Sequence, residues 1–427
     1  MSARPRAFGR VVRPTRRGVA MAAVGVVVVI LAYVFARTEL LFIGWLAIVL
    51  PVTALCFVWL RRVRLSVTRS FSSPMLVAGH VASATLELGN QSPYATPDAR
   101  WLEVQPWSPF ATEFERLPTM HGRSAWRTEP TVLRYSITPP RRGIVDIGPL
   151  VIELSDPFAL ARSEVTIGET QRTIVIPDVE TLPASGLSVT ADDGAAHVHR
   201  FRALGGDDDA MTRTYRAGDA LRRVHWRASA HRGELMVREE EQRSHAEARI
   251  VLDTTRRGYL DQRTSPQPHE AQSDRFEWAL RITATIALHL EQRGFVVQLL
   301  ETGPRQLVSP DRVDEFLESI AAATLGPTAD AAVGPSNPRP DRSLGVVFAV
   351  VADAQPETIE FLAAQRRQFD LALALIVTPR FDEVAQQLAL AGWHCVDAAV
   401  AESVEAQSVA PLWNTIAPLL EANGARH

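Results

Sequence analysis

The sequence predicts a chain of three parts: a two-helix membrane hairpin, a β-sandwich, and an α/β domain with a mostly parallel sheet. Three observations predict this architecture. Two charge-free apolar stretches lie near the N-terminus, period-two alternation runs through residues 63–190, and apolar strands alternate with amphipathic helices over 248–427. With 427 residues, 46% of them apolar and 22% charged, the chain can bury more than one core.

The two apolar stretches are Val19–Phe35 and Leu40–Leu60. A helix needs about 20 residues to cross the hydrocarbon core of a bilayer. Only residues 36–39 separate the stretches, so residues 19–60 are expected to form a tight hairpin of two transmembrane helices. The alternative for the first stretch is a signal peptide, which its length and the immediate second stretch argue against.

Arginines indicate the direction of the hairpin. Residues 1–18, which we expect to be a basic cytoplasmic tail, carry six arginines and no acidic residue. Three more follow the second stretch, and only Arg37 lies between the two. Positive charge favours the cytoplasmic side, so we expect a multi-pass inner-membrane protein with both termini in the cytoplasm. From residue 61 onward, 38 arginines face 47 acidic residues, which argues against nucleic acid as a partner.

Residues 63–190 predict half-buried antiparallel strands. At 82–88 and at 133–137, apolar side chains alternate with polar ones, as they do in a strand with one face on a core. Proline and glycine separate these runs, and no helical pattern interrupts them. A β-sandwich is the simplest fold that fits.

Residues 248–427 alternate between strand and helix patterns. Apolar strands are predicted at 250–252, 295–300, 344–351, 371–377 and 393–396. Arg305–Val308 could pair back on the second of these strands. Unbroken apolar strands between helices indicate a buried parallel sheet, whose ligands bind at the carboxyl ends of the strands. Asp253 and Asp353 both follow such strands.

The residue inventory excludes several kinds of chemistry. All 45 basic residues are arginine, so neither a phosphate-loop lysine nor a Schiff-base lysine exists. Cys56 and Cys395 are too few for a cysteine-rich zinc site. No Gly-x-Ser-x-Gly elbow surrounds any serine. We therefore predict no catalytic residues, with a hydrolase built on the polar loops at 191–219 as the alternative.

Residues 191–247 form a separate, arginine-rich segment. From Arg213 it reads RTYRAGDALRRVHWRASAHRGELMVRE, a run that resembles the signature of the domain-of-unknown-function 58 family. Arg141-Arg142-Gly143, Asp156-Pro157-Phe158 and the order of the parts are also similar to that family. The resemblance implies that 248–427 is a von Willebrand factor A-like domain. It also suggests interaction residues within the signature: Arg213, Tyr215, Arg216, Gly218, Asp219, Arg222, Trp226 and Arg227.

The same resemblance implies a function. Members of the family typically accompany MoxR-type AAA+ ATPases and are thought to act as non-catalytic partners. It therefore implies a bacterial membrane-anchored scaffold or interaction protein whose partners are a MoxR-type ATPase and the lipid bilayer. The signature arginines are expected to form salt bridges, with an anion-binding membrane surface as a further alternative. Replacing Trp226 should destabilise the chain if its ring is buried.

The resemblance also implies a degenerate metal site. In von Willebrand A domains, an Asp-x-Ser-x-Ser run after the first strand holds a divalent metal through oxygen ligands. Here Asp253 and Thr255 match that run, Arg257 replaces its last hydroxyl, and Asp353 matches the acidic residue after a later strand. We expect Arg257 to pair with Asp253 or Asp353 where the metal would stand. No cofactor is then expected, and Mg²⁺ is the alternative.

Overall fold

The computed structural model of the protein describes residues 10–61, 63–96, 98–108, 114–122, 130–184, 212–215, 224, 226–238, 247–262, 273–326, 343–399 and 407–424. The chain divides into two compact units, Met1–Asp178 and Val179–His427. The first unit contains, in chain order, β1 (Val11–Pro14), α1 (Arg16–Val34), α2 (Thr38–Leu60), β2 (Leu65–Phe71), β3 (Met75–Val77), β4 (Ala82–Asn90), β5 (Ala99–Glu103), β6 (Glu115–Leu117), β7 (Thr131–Ile137), β8 (Gly143–Ile147), β9 (Leu150–Ser155), β10 (Ala161–Ile167) and β11 (Gln171–Ile176).

Helices α1 and α2 are both long and apolar enough to cross a membrane. They pack on each other where two glycines meet. A Cβ atom on Gly25 would lie 2.9 Å from the carbonyl oxygen of Gly44, and one on Gly44 would lie 2.6 Å from a methyl carbon of Val29. Small residues at such a crossing let two apolar helices approach closely. Two apolar helices near the N-terminus are therefore confirmed.

The N-terminal segment holds an edge strand that the sequence pattern does not reveal. Strand β1 pairs antiparallel with β10, with Val11 opposite Glu164. Arg10 donates from Nε to Ser163 Oγ at 3.1 Å and from its guanidinium to the carbonyl oxygen of Arg61 at 2.7 Å. Residues 10–14 are thus more than part of a basic tail. Both ends of the helical hairpin are held at the strand-rich part of the unit.

That strand-rich part consists of three sheets. Their strand orders are β1-β10-β9-β5-β6, β3-β11-β8 and β2-β4-β7. Alternate residues along the strands point into the interior, as the period of a strand requires. The sheet of β2, β4 and β7 shares one buried cluster with the five-stranded sheet, to which each side contributes large apolar side chains: Leu86, Leu88, Trp101, Leu150 and Ile152.

The second unit contains β12 (Thr212–Thr214), α3 (Trp226–Arg232), β13 (Met236–Arg238), β14 (Glu247–Leu252), α4 (Asp274–Gln292), β15 (Val296–Glu301), α5 (Val313–Ala322), β16 (Ser343–Val351), α6 (Pro356–Arg366), β17 (Phe369–Ile376), α7 (Phe381–Leu390), β18 (His394–Asp397) and α8 (Ala410–Gly424). Strands β14 to β18 pair only in parallel, in the order β15-β14-β16-β17-β18. The predicted parallel sheet is therefore confirmed.

The strand order reverses between β14 and β16. In open parallel sheets, ligands bind in the crevice at the carboxyl ends of the strands, at the point of this reversal. The residues that directly follow β14 and β16 are therefore the first place to look for a site.

Val179–Leu182 belongs to the second unit, although the sequence assigns residues up to 190 to the β-sandwich. Leu182 is buried in the core beneath the parallel sheet. Glu180 accepts hydrogen bonds from Arg281 of α4 at 2.8 Å and from Ser408 at 2.6 Å, just before α8. This short segment therefore ties the last helix of the unit to its central helix.

No strand forms at Arg305–Val308, so the prediction of a strand pairing back there is wrong. The buried carboxylate of Glu301 accepts hydrogen bonds from the backbone N–H groups of Gln306 and Leu307, each at 2.8 Å. These are two of the donors that a paired strand would have used. A side chain at the end of β15 closes this loop in place of a strand.

Candidate functional site

A buried polar cluster lies at the carboxyl edge of the parallel sheet. Each of its members follows one of the strands β14 to β17 within three residues, so the topology brings them to a single edge. All of them are buried: Asp253, Thr255, Thr302, Asp353 and Thr378. This cluster is the strand-end cluster below.

Asp253 is held by three hydrogen bonds to one oxygen. Its Oδ1 accepts from the backbone N–H of Thr255 at 3.0 Å, from Thr255 Oγ1 at 2.8 Å and from Thr302 Oγ1 at 2.5 Å. Its Oδ2 is buried without a hydrogen-bond partner, and a Cβ atom on Gly258 would lie 2.1 Å from it. Burial raises the pKa of the Asp253 carboxyl, and the hydrogen bonds from Thr302 and Thr255 offset part of that rise.

Asp353 has partners on both oxygens. Its Oδ1 accepts from Thr378 Oγ1 at 2.8 Å. Its Oδ2 accepts from the guanidinium of Arg275 at 2.8 Å and from the backbone N–H of Leu260 at 3.1 Å. The Tyr259 hydroxyl donates to the backbone carbonyl of Asp253 at 2.8 Å, and the Asp353 N–H donates to the Gly258 carbonyl at 2.8 Å. The loop after β14 therefore links the two aspartates through its backbone, while their carboxylates bond to separate partners.

The expected pairing of Arg257 with a carboxylate of this site is wrong. The side chain of Arg257 is exposed. The cation on Asp353 is Arg275, in the first turn of α4. In a parallel sheet, the helix after a strand starts near the carboxyl edge, so a basic residue in its first turn can reach the site. No motif marks that residue in the sequence.

The donor set does not fit a divalent cation. Hard cations take six or more oxygen ligands, about half of which can be waters. Here both oxygens of Asp353 are engaged, one of them by a guanidinium, and the Thr255 and Thr302 hydroxyls donate to Asp253. That leaves one free carboxylate oxygen, which is fully buried. Within the described residues, no group of three His, Cys, Asp or Glu side chains is placed to hold a metal.

The structure describes only part of the signature segment. Arg213 lies in β12 opposite Val237 of β13, and the Tyr215 N–H donates to the Leu235 carbonyl at 2.7 Å. Trp226 and Arg227 are the first two residues of α3, which precedes β13 in the chain. The remaining signature residues and most of the loops at 191–219 lie outside the described residues: Arg216, Gly218, Asp219 and Arg222.

Trp226 is 66% exposed, so its ring is not part of the core. Replacing Trp226 is expected to destabilise the chain only if the ring is buried, and this condition is not met. Gly233 ends α3: it has a φ of 74°, and its N–H donates to the Ser229 carbonyl at 2.9 Å. Cys395 lies in β18, where burial raises the pKa of its thiol, so it is a packing residue rather than an activated nucleophile.

Comparisons with solved structures give only distant likenesses. The CARDB domain of a Pyrococcus furiosus protein, solved with di-metal ions, is 13% identical, with 27% of this chain and 89% of that chain covered and a TM-score of 0.19. A cycloisomaltooligosaccharide glucanotransferase from Paenibacillus sp. is 13% identical, with 79% and 53% covered and a TM-score of 0.17. At such TM-scores these likenesses do not support conclusions about fold or function.

A search of the curated proteins finds no match. A family model does match part of the sequence. Its range runs from the residue before β12 to the residue before β16, and therefore includes Asp253, Arg275 and Thr302 but not Asp353. Residues 211–342 of this chain are thus similar to the family described as "Protein of unknown function DUF58".

Proposed function

We propose that this protein is a membrane-anchored, non-catalytic interaction protein whose partner is a MoxR-type AAA+ ATPase. The observation that carries the proposal is the strand-end cluster. Its hydroxyls donate to the two carboxylates and Arg275 pairs with Asp353, whereas a reaction site needs such groups turned toward a substrate. These bonds hold the loops after β14 and β16 in place, which suits a surface that docks another protein.

The anchor is the pair α1 and α2. Both are long and apolar enough to span a bilayer, and much of their apolar surface is exposed. Because β1 joins the sheet of β10, residues 10–14 and the strand-rich part must lie on the same side of the membrane if the helices span it. The excess of arginine on both flanks then assigns that side to the cytoplasm.

The α/β part is proposed to be a von Willebrand A-like module that works without a metal. Its parallel sheet and the Asp253-x-Thr255 run after β14 support the likeness. Arg275 is a difference from metal-binding von Willebrand A domains, because its guanidinium supplies the positive charge at Asp353 that a metal ion would otherwise supply. A fixed guanidinium would repel a divalent cation, so we propose that no Mg²⁺ is needed on this chain.

The docking surface is proposed at the rim of the strand-end cluster. The residues after Asp253 turn outward there, with Arg256 and Arg257 exposed. Leu260 is 59% exposed, although its N–H is bonded to Asp353. An exposed leucine that follows two exposed arginines suits an acidic partner surface with an apolar patch. We call Arg256, Arg257 and Leu260 the rim.

The test is an affinity purification of the full chain from native membranes after gentle solubilisation. We expect an AAA+ ATPase to be enriched over a control purification of an unrelated two-span membrane protein. If no ATPase is enriched and the purified chain hydrolyses a substrate, the interaction proposal fails and the alternative of a hydrolase at 191–219 replaces it.

A further inference from the structure

A preformed turn follows strand β9 in the first unit. The buried carboxylate of Asp156 organises it: Oδ2 accepts from the N–H of Phe158 at 2.8 Å, and Oδ1 accepts from the N–H groups of Leu160 and Ala161 at 2.7 and 2.6 Å. Ala159 has a φ of 54°, in the left-handed region that non-glycine residues seldom adopt. The carboxylate network therefore fixes the turn in one conformation.

The turn is attached to the base of both long helices. Thr15, directly before α1, donates from its N–H to the Leu160 carbonyl at 2.9 Å and from Oγ1 to the Ala159 carbonyl at 2.7 Å. Leu160 is buried in one cluster with Ala54 and Val58 of α2. Ala54 lies six residues before the end of α2 at Leu60, or about 9 Å along the helix axis. The turn therefore lies beside the apolar length of α2, not beyond its end.

At the tip of this turn, Phe158 is 62% exposed while Asp156 and Leu160 are buried. Arg16 and Arg17, the first residues of α1, are exposed and directly follow the threonine that binds the turn. Phenylalanine and basic side chains occur together on protein surfaces that bind membranes at the headgroup level, where the ring meets acyl chains and the charge meets phosphate. The position and the neighbours of Phe158 match that level.

We propose that the turn at Asp156–Phe158 enters the interfacial layer of the bilayer and places the Phe158 ring among lipid headgroups and upper acyl chains. This inference rests on the proposed function, because it requires α1 and α2 to span a membrane. Lipid is the occupant because the turn that carries the ring packs through Leu160 on α2, and α1 and α2 expose many large apolar side chains. The β domain then contacts the membrane through a rigid turn as well as through its helices.

The test uses an environment-sensitive fluorophore on single cysteines in the full chain, reconstituted into vesicles of phosphatidylethanolamine and phosphatidylglycerol. One protein carries Phe158→Cys, with Cys56→Ser and Cys395→Ser. The matched control carries Thr170→Cys in the same background. Thr170 is exposed in the loop after the far end of β10, a strand of seven residues whose near end adjoins the turn. A third protein keeps only Cys56, which is exposed on α2.

We expect the label at 158 to emit at shorter wavelength than the label at 170 and to lose most of its emission to brominated lipid. The label at 170 should respond to aqueous iodide and not to brominated lipid. If the label at 158 behaves like that at 170, or is shielded from both quenchers as in a protein contact, the inference is overturned. The label at Cys56 separates the two claims: quenching there by brominated lipid keeps the membrane anchor, and its absence overturns the anchor as well.

Discussion

Arg275 decides what the strand-end cluster can do. Its guanidinium binds Asp353 at 2.8 Å, with side chains that are only 21% and 7% exposed. A buried carboxylate without a counter-charge is costly, so the cation stabilises the folded chain whether or not a partner ever binds. Asp253, Thr255 and Asp353 each follow a strand, which is why the sequence places them at one edge. It misassigns the cation, because Arg257 fits a motif whereas Arg275 is placed by the start of a helix.

The variant Arg275→Met should lower the free energy of unfolding of the second unit by about 2–4 kcal/mol, because it leaves Asp353 buried with no counter-charge. The matched control Arg257→Met should change it by no more than about 0.5 kcal/mol, since that side chain is exposed. Urea denaturation of the full chain in detergent measures both. Equal losses of stability for the two variants would contradict this assignment and would indicate that Arg257 also pairs with a carboxylate of the cluster.

Glu301 gives a pH-dependent test. Burial raises the pKa of its carboxyl, against the smaller effects of the Gln306 and Leu307 N–H groups and of Arg305. Between the unfolded pKa of about 4.3 and the raised folded pKa, the folded state holds more protons than the unfolded state. The contribution of Glu301 to stability therefore falls as pH rises through that window and stays low above it.

The variant Glu301→Gln removes this titration but keeps an oxygen for both N–H groups. Its stability relative to the wild type should therefore rise with pH across the window and then level off, as measured by unfolding at a series of pH values. The control Val313→Ala changes an exposed side chain of α5 that carries no titratable group, so its difference from the wild type should be constant with pH. A difference for Glu301→Gln that is constant with pH would contradict the assignment.

At the scale of elements, the patterns that predict structure are those long enough to repeat. Strands β14 to β18 are apolar runs between amphipathic helices, and each is found close to its predicted position. Strand β1 has four residues and shows no alternation, so the sequence cannot distinguish it from a basic tail. The loop at 305–308 has a strand-like composition, but two of its backbone N–H groups bond to the carboxylate of Glu301. A pattern of apolar and polar residues does not reveal such a side-chain contact.

The packing of α1 on α2 depends on the two glycines at their crossing. A leucine at Gly44 would press on Val29, so Gly44→Leu should destabilise the hairpin by about 1–3 kcal/mol. Thermal unfolding of the full chain in detergent measures this loss. The control Phe42→Leu changes an exposed side chain on the same helix and should leave the midpoint unchanged. An unchanged midpoint for Gly44→Leu would show that the helices do not meet there.

The whole molecule can have only one kind of membrane topology, with both flanks of the helical hairpin on the same side. Because β1 pairs with β10, the two flanks of the helical hairpin cannot lie on opposite sides of a membrane that α1 and α2 span. Reporters fused before residue 1 and after residue 427 should both be cytoplasmic, as read by a fluorescent protein that matures only there. A periplasmic reporter at either terminus would contradict the topology.

We propose that the ATPase partner binds the rim of the strand-end cluster. The most direct test is the affinity of the ATPase recovered from native membranes for the full chain in lipid nanodiscs. Leu260→Asp should weaken binding at least about tenfold, or about 1.4 kcal/mol. Leu390→Asp changes a leucine that is 87% exposed at the end of α7, toward the amino edge of the sheet, and should leave the affinity unchanged. Equal affinities for the two variants would contradict the claim.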